Sequence, residues 1–133
     1  MSPLFKKLNF KDQEEIAIIN SPEEFESELE QMKSQTGIQN NLAGLTNADF
    51  VISFVSSKIE IDKLASQLRN KIKGDPVIWF AYPKKTSKKY KVEINRDSGW
   101  ESLHEIGLDT VRAVSIDDDW SALRFRKEEF IKK

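Results

Sequence analysis

Five lysines crowd into one short segment of this sequence, at positions 84, 85, 88, 89 and 91, with no acidic residue among them. Their ammonium groups, together with the hydroxyls of Thr86 and Ser87, are the kind of donors that bind a phosphate or a carboxylate. The segment therefore predicts an anion-binding loop. A solvated surface loop, whose lysines pair loosely with nearby acids, is the alternative.

A complete site needs partners from elsewhere in the chain. In the hypothesis that follows, Lys84, Lys88 and Arg96 supply positive charge, and Thr86 and Ser87 supply hydrogen bonds. Trp120 follows an acidic turn and forms an apolar wall. The predicted function is a non-catalytic domain that binds a small anionic ligand or an acidic protein segment, so the sequence leans away from an enzyme.

Two functions of other classes compete with this one. Asp117, Asp118 and Asp119 offer carboxylates to a magnesium ion, which would suit a hydrolase or a transferase, although an acidic turn facing water is equally consistent. No nucleophile can be named beside His104, which predicts a surface or helix-packing role for it rather than general-base catalysis. The other competitor is a protein interaction or assembly module that pairs through an exposed sheet edge, so a homo-oligomer stays open.

Composition excludes several classes of ligand and metal site and predicts where in the cell the protein lies. The chain has 133 residues, with 21 lysines and arginines against 22 aspartates and glutamates, so its net charge of −1 creates no field that attracts nucleic acid or a membrane surface. It has no cysteine and one histidine, which excludes disulfides, thiolate metal sites and multi-histidine zinc sites. No signal-like or membrane-spanning apolar stretch is present, which predicts the cytoplasm. No nucleotide-binding glycine motif is present either, and no cofactor is expected.

Three apolar runs predict strands buried on both faces, and a helix-start signal follows each of them. The runs are Glu15 to Asn20, Asp49 to Val55 and Val77 to Tyr82. The helix starts are capping boxes, in which a serine is followed three residues later by a glutamate: Ser21 with Glu24, Ser57 with Glu60, and Ser98 with Glu101. Strand and helix therefore alternate three times along the chain.

This alternation predicts one α/β domain spanning residues 1–133: a three-layer Rossmann-like sandwich with a mostly parallel sheet. Residues 111–116 and 123–126 should close the sheet as an antiparallel hairpin, and residues 35–48 should form a connection without a strand. Ligands of such sheets bind beyond the carboxyl ends of the strands. The predicted site therefore lies at that edge.

Several residue blocks resemble a family of small bacterial proteins known as domain of unknown function 3052. They are the junction Ser21-Pro22-Glu23, the run Trp79-Phe80-Ala81-Tyr82-Pro83-Lys84 with Ser87, the pair Arg96-Asp97, and the run from Trp120 to Phe125. The resemblance covers most of the chain and implies a stand-alone cytoplasmic domain with no established activity. The extra lysines at 85, 88 and 89 depart from the family, whose loop is richer in glycine.

Overall fold

The computed structural model describes residues 3–42, 45, 48–95 and 98–131. These described residues form four α-helices and six strands, with single 3-10 turns at Glu23–Phe25 and Glu128–Phe130. The helices are α1 (Pro3–Lys7), α2 (Glu26–Met32), α3 (Lys58–Leu68) and α4 (Glu101–Glu105). The strands are β1 (Glu15–Ile19), β2 (Gly37–Gln39), β3 (Phe50–Phe54), β4 (Val77–Pro83), β5 (Leu108–Ser115) and β6 (Trp120–Lys127).

The six strands form one mixed sheet in the order β2-β1-β3-β4-β6-β5. The first four strands in this order are parallel, while β6 runs antiparallel between β4 and β5. The predicted Rossmann-like sheet with a closing antiparallel hairpin is confirmed. The hairpin strands are longer than predicted, and β6 rather than β5 is inserted next to β4.

Helices cover both faces of the sheet, so the central strands are buried on both sides. Every residue of β3 and β4 is buried, which matches their unbroken apolar sequences. On one face, α3 and α4 contribute Ile61, Leu68 and Leu103 to a first core cluster. On the other face, α1 and α2 contribute Phe5 and Met32 to a second cluster around Trp79. The result is the predicted three layers.

Two local predictions are wrong. Residues 35–48 were expected to lack a strand, but Gly37–Gln39 pairs in parallel with β1 as the sheet edge. This strand is only three residues long and half exposed, so it has no hydrophobic pattern that sequence could reveal. Of the three predicted capping boxes only Ser57 forms one, since neither Glu23–Phe25 nor α4 has a side-chain cap.

The Ser57 cap matches its prediction closely. The Ser57 hydroxyl accepts a hydrogen bond from the Glu60 backbone amide at 3.3 Å. The Glu60 carboxylate in turn accepts from the Ser56 amide at 3.0 Å. This cap fixes the start of α3 directly after β3, at the edge where the candidate site lies.

Across the described residues, none of the helices has the length and apolar character required to cross a bilayer.

Candidate functional site

The connection after β4 lies across the carboxyl edge of the sheet and is held at two points. Near its start, the Lys84 amide donates to the Asp119 carbonyl in the hairpin turn at 2.7 Å. Further along, the Glu93 amide donates to the Ser56 carbonyl just beyond β3 at 3.0 Å. Residues 84–95 therefore bridge the ends of β3 and β4, where a Rossmann-like fold places its ligand.

The Glu24 carboxylate joins this connection to the turn after β1. It accepts hydrogen bonds from the Tyr90 hydroxyl at 2.7 Å and from the Trp120 indole N–H at 3.2 Å. The Lys89 ammonium lies 3.2 Å from the other carboxylate oxygen. One acidic side chain thus binds three donors from the connection and from β6, and we call these four residues the Glu24 cluster.

Burial of the Glu24 carboxyl opposes its charged form, but the hydrogen bonds outweigh that effect. Donors from Tyr90, its own backbone, Trp120 and Lys89 lower the pKa of Glu24 from 4.5 to about 2. The same contact raises the pKa of Tyr90, because its hydroxyl proton is held by a carboxylate. Glu24 is therefore anionic and Tyr90 neutral at physiological pH.

Two clefts open at this edge, on either side of Pro83. The smaller, of about 280 Å³, lies over the ends of β1 and β3, with aromatic walls from Phe54, Tyr90 and Trp120 and polar groups from Asn20 and Ser56. The larger, of about 450 Å³, lies over the ends of β4 and β6, and its lining includes Tyr82, Lys84, Lys85, Thr86, Ile94 and Ser121. We refer to them as the β1 cleft and the β4 cleft.

The residues of the predicted anion site do not converge on one point. The Lys84 ammonium donates to the Ser115 hydroxyl at 2.6 Å, and the Ser87 hydroxyl donates to Asp119 at 2.8 Å. Thr86 lines the β4 cleft, whereas Lys88 is exposed outside both clefts. Trp120 is only 6% exposed and lines the β1 cleft instead. Arg96 lies outside the described residues.

The acidic turn forms hydrogen bonds within the hairpin and to the connection after β4. The Asp117 carboxylate accepts from the Asp119 and Trp120 amides, both at 2.8 Å, and Asp119 accepts from Ser87. Throughout residues 3–42, 45, 48–95 and 98–131 no group of three or more potential metal-binding side chains occurs. His104 lies away from this edge, with its Nδ1 3.1 Å from the Leu108 carbonyl at the amino end of β5.

Sequence reasoning missed Glu24 and Tyr90 as members of the site. Glu24 matched a capping box, and that local explanation hid its role. In the folded chain, Tyr90 and Trp120 contact the Glu24 carboxylate, although they follow Glu24 by 66 and 96 positions in the sequence. Only the concentration of aromatic residues near the lysines hinted at this cluster.

Comparison with known proteins finds similar folds among solved structures but no match by sequence. By sequence, the chain matches neither a family model nor a curated protein. By structure, it resembles a SAM dependent methyltransferase from Aquifex aeolicus with a TM-score of 0.58, at 12% identity over 92% of this chain and 87% of that one. It also resembles magnesium protoporphyrin IX methyltransferase from Synechocystis, with a TM-score of 0.58 at 12% identity over 94% and 78% of the two chains.

A third solved structure is the fibrillarin pre-rRNA processing protein of Methanococcus jannaschii, with a TM-score of 0.55 at 12% identity over 89% of this chain and 68% of that one. All three identities are low, so the similarity concerns the fold. The chain thus has the Rossmann-like fold of the SAM-dependent methyltransferases.

These neighbours correct the functional prediction. The solved structures that share this fold are methyltransferases, and this finding overturns the prediction of a non-catalytic domain that binds a small anion or an acidic segment. The geometry agrees with the correction, because Lys84, Ser87 and Lys89 bind groups within the protein. The assembly alternative stays a prediction.

Proposed function

We propose that this chain is a methyltransferase that binds SAM in the β1 cleft and its methyl acceptor in the β4 cleft. The observation that carries the proposal is the β1 cleft itself, an aromatic and polar recess beside an ionised carboxylate, at the carboxyl edge of a methyltransferase fold. The β4 cleft, which shares Pro83 with the β1 cleft, provides a second recess next to it.

The lining of the β1 cleft is chemically suited to a nucleoside. The rings of Tyr90 and Trp120 lie with their centroids 4.9 Å apart and form a wall on which a base can stack. The Asn20 amide is a hydrogen-bonding group for a ribose. The turn after β1 contains no glycine, but Asn20 takes the left-handed conformation, with φ of 56°, that such a turn demands.

Electrostatics favours the same ligand. When bound, SAM supplies an electrophilic methyl group on a positively charged sulfur. The ring faces of Tyr90 and Trp120 in this cleft favour a cation. The Lys91 side chain, at the border of the cleft, can pair with a ligand carboxylate.

The β4 cleft has the mixed character of an acceptor site. Hydroxyls of Tyr82, Thr86 and Ser121 can orient a polar group, and Val92 and Ile94 supply apolar surface. We propose that these hydroxyls position the acceptor, while the connection 84–95 keeps water from the space between the two clefts.

Calorimetric titration with SAM and with SAH tests the donor site. We expect both to bind the unmodified protein, and Tyr90→Leu to weaken binding about tenfold through loss of a stacking face. Tyr90→Phe keeps the ring and should weaken binding less. Ile59→Ala, on a side chain that is 79% exposed on α3, is the control and should bind normally.

Absence of SAM and SAH binding at millimolar concentration would overturn the proposal, as would equal affinities of the protein and its Tyr90→Leu variant. The proposed location is the cytoplasm, which cell fractionation tests. Membership of the domain of unknown function 3052 family also stays a proposal, to be tested by aligning that family over Trp79–Lys84 and Trp120–Phe125.

A further inference from the structure

Two arginines face each other across the closing hairpin. Arg112 on β5 is the register partner of Arg124 on β6, beside a β-bulge between Thr110 and Arg112. The charge of Arg112 acts on Arg124. Arg124 leaves the face covered by α1 and α2, because Trp79, its partner on β4, and Ala122, two residues before it, belong to that core cluster. Like charges placed directly opposite each other on neighbouring strands destabilise a sheet.

The charges of this pair are not neutralised within the described residues. The nearby acid, Asp75, accepts three hydrogen bonds from Arg126, at 3.0, 3.2 and 2.6 Å. Along the described chain, neither Arg112 nor Arg124 forms an ion pair or a side-chain hydrogen bond. The Nε atom of Arg124 is buried and has no acceptor.

A buried donor without an acceptor is unfavourable, and native proteins rarely keep one without a reason. Burial lowers the pKa of Arg124, and the charges of Arg126 and Arg112 lower it further, although Asp75 opposes them. Position, charge and the unsatisfied donor all indicate that an anion from outside the chain completes this face.

We propose that Arg112 and Arg124 form a binding site for the phosphate group of a small phosphomonoester. A guanidinium presents its donors as a planar fork that matches phosphate oxygens, and a phosphomonoester carries about two negative charges at neutral pH, which balance the two arginines. Arg124 pairs with Trp79 near the amino end of β4, so the site lies away from both clefts and does not depend on the proposed methyl transfer.

The test is thermal unfolding in phosphate against chloride at equal ionic strength. We expect saturating inorganic phosphate, and glycerol phosphate as a phosphomonoester without a nucleoside, to raise the Tm of the unmodified protein by about 3 °C or more. Arg112→Gln should abolish that rise and also raise the Tm without ligand, since it removes the repulsion. Arg69→Gln, on an exposed arginine after α3, should keep the full rise.

The site would be overturned if phosphate and glycerol phosphate left the Tm unchanged, or shifted it equally in Arg112→Gln. A lower ligand-free Tm in Arg112→Gln would contradict the inferred repulsion between the two arginines. A single-stranded RNA that binds more tightly than glycerol phosphate through the same arginines would replace the small phosphomonoester with a nucleic acid. Arg124→Gln repeats the test on the partner residue.

Discussion

At the scale of the residue, one carboxylate connects three distant parts of the chain. Glu24 follows β1, and its donors come from the connection after β4 and from β6. Because hydrogen bonds to a charged acceptor are stronger than neutral ones, this cluster holds the connection in place more firmly than surface contacts would.

The depressed pKa of Glu24 makes this contribution dependent on pH. A group whose pKa falls on folding stabilises the protein above its unfolded value and loses that effect as pH drops towards the folded one. The stabilising effect should therefore be complete above pH 4.5 and disappear as pH falls towards about 2. Glu24→Gln removes it at every pH.

We expect Glu24→Gln to lower the free energy of unfolding by about 1–2 kcal/mol at pH 7, which is below the full linkage value because the carboxylate keeps contact with water. Denaturant unfolding of both proteins between pH 7 and pH 2.5 checks this. A difference that stays constant across the acid range would show that the charge of Glu24 is not the cause.

At the scale of the element, three similar sequence signals have different outcomes. Ser21, Ser57 and Ser98 all precede a glutamate by three residues, yet only Ser57 caps a helix. Only α3, with eleven residues, is long enough for the cap to decide where it begins. The other two starts have no side-chain cap.

Replacing the cap should therefore matter at one serine and not at another. We expect Ser57→Ala to lower the free energy of unfolding by about 1 kcal/mol, because the Glu60 amide loses its acceptor. Ser21→Ala should change it by less than about 0.5 kcal/mol. Equal losses in the two variants, measured by urea denaturation, would contradict the observed difference in capping.

The segment leading into α4 depends on a glycine for a different reason. Gly99 has φ of +101°, and a Cβ there would lie 2.5 Å from the Ile94 side chain. Gly107 has a similar φ of +87° but open space around it. We expect Gly99→Ala to cost about 1 kcal/mol or more beyond Gly107→Ala, which carries the conformational strain alone. Parallel urea titrations compare them, and equal costs would exclude the steric contact.

At the scale of the whole molecule, a side-chain hydrogen bond joins the turn after α1 to the centre of the sheet. The indole N–H of Trp79 in β4, which is fully buried, donates to the Leu8 carbonyl at 2.8 Å. This contact joins residues 71 positions apart and closes the second core cluster under α1.

Trp79→Phe keeps an aromatic ring but removes the donor. We expect it to lower the free energy of unfolding by about 2–3 kcal/mol, since the Leu8 carbonyl loses its partner and a cavity forms. Amide exchange should also become faster in α1 than in α3. Unchanged exchange in α1 would mean that apolar contacts alone hold the helix.

The sequence by itself determined the layered architecture. The runs that became β1, β3 and β4 could only be strands buried on both faces, and the pattern of α3 could only be an amphipathic helix, because burial of apolar surface selects these periods. The closing hairpin followed from its acidic turn. Each of these features is formed by residues close together in the chain, so the local sequence pattern predicts it.

Only the tertiary structure decided where the candidate site lies. Lysine density suggested an anion site at residues 84–91, but in the folded chain Lys84, Ser87 and Lys89 bind groups of the protein itself. The edge strand β2, the Glu24 cluster and the opposed pair of Arg112 with Arg124 each depend on residues far apart in sequence. No local pattern contains such pairs, because the energy that selects them arises only when the whole sheet has formed.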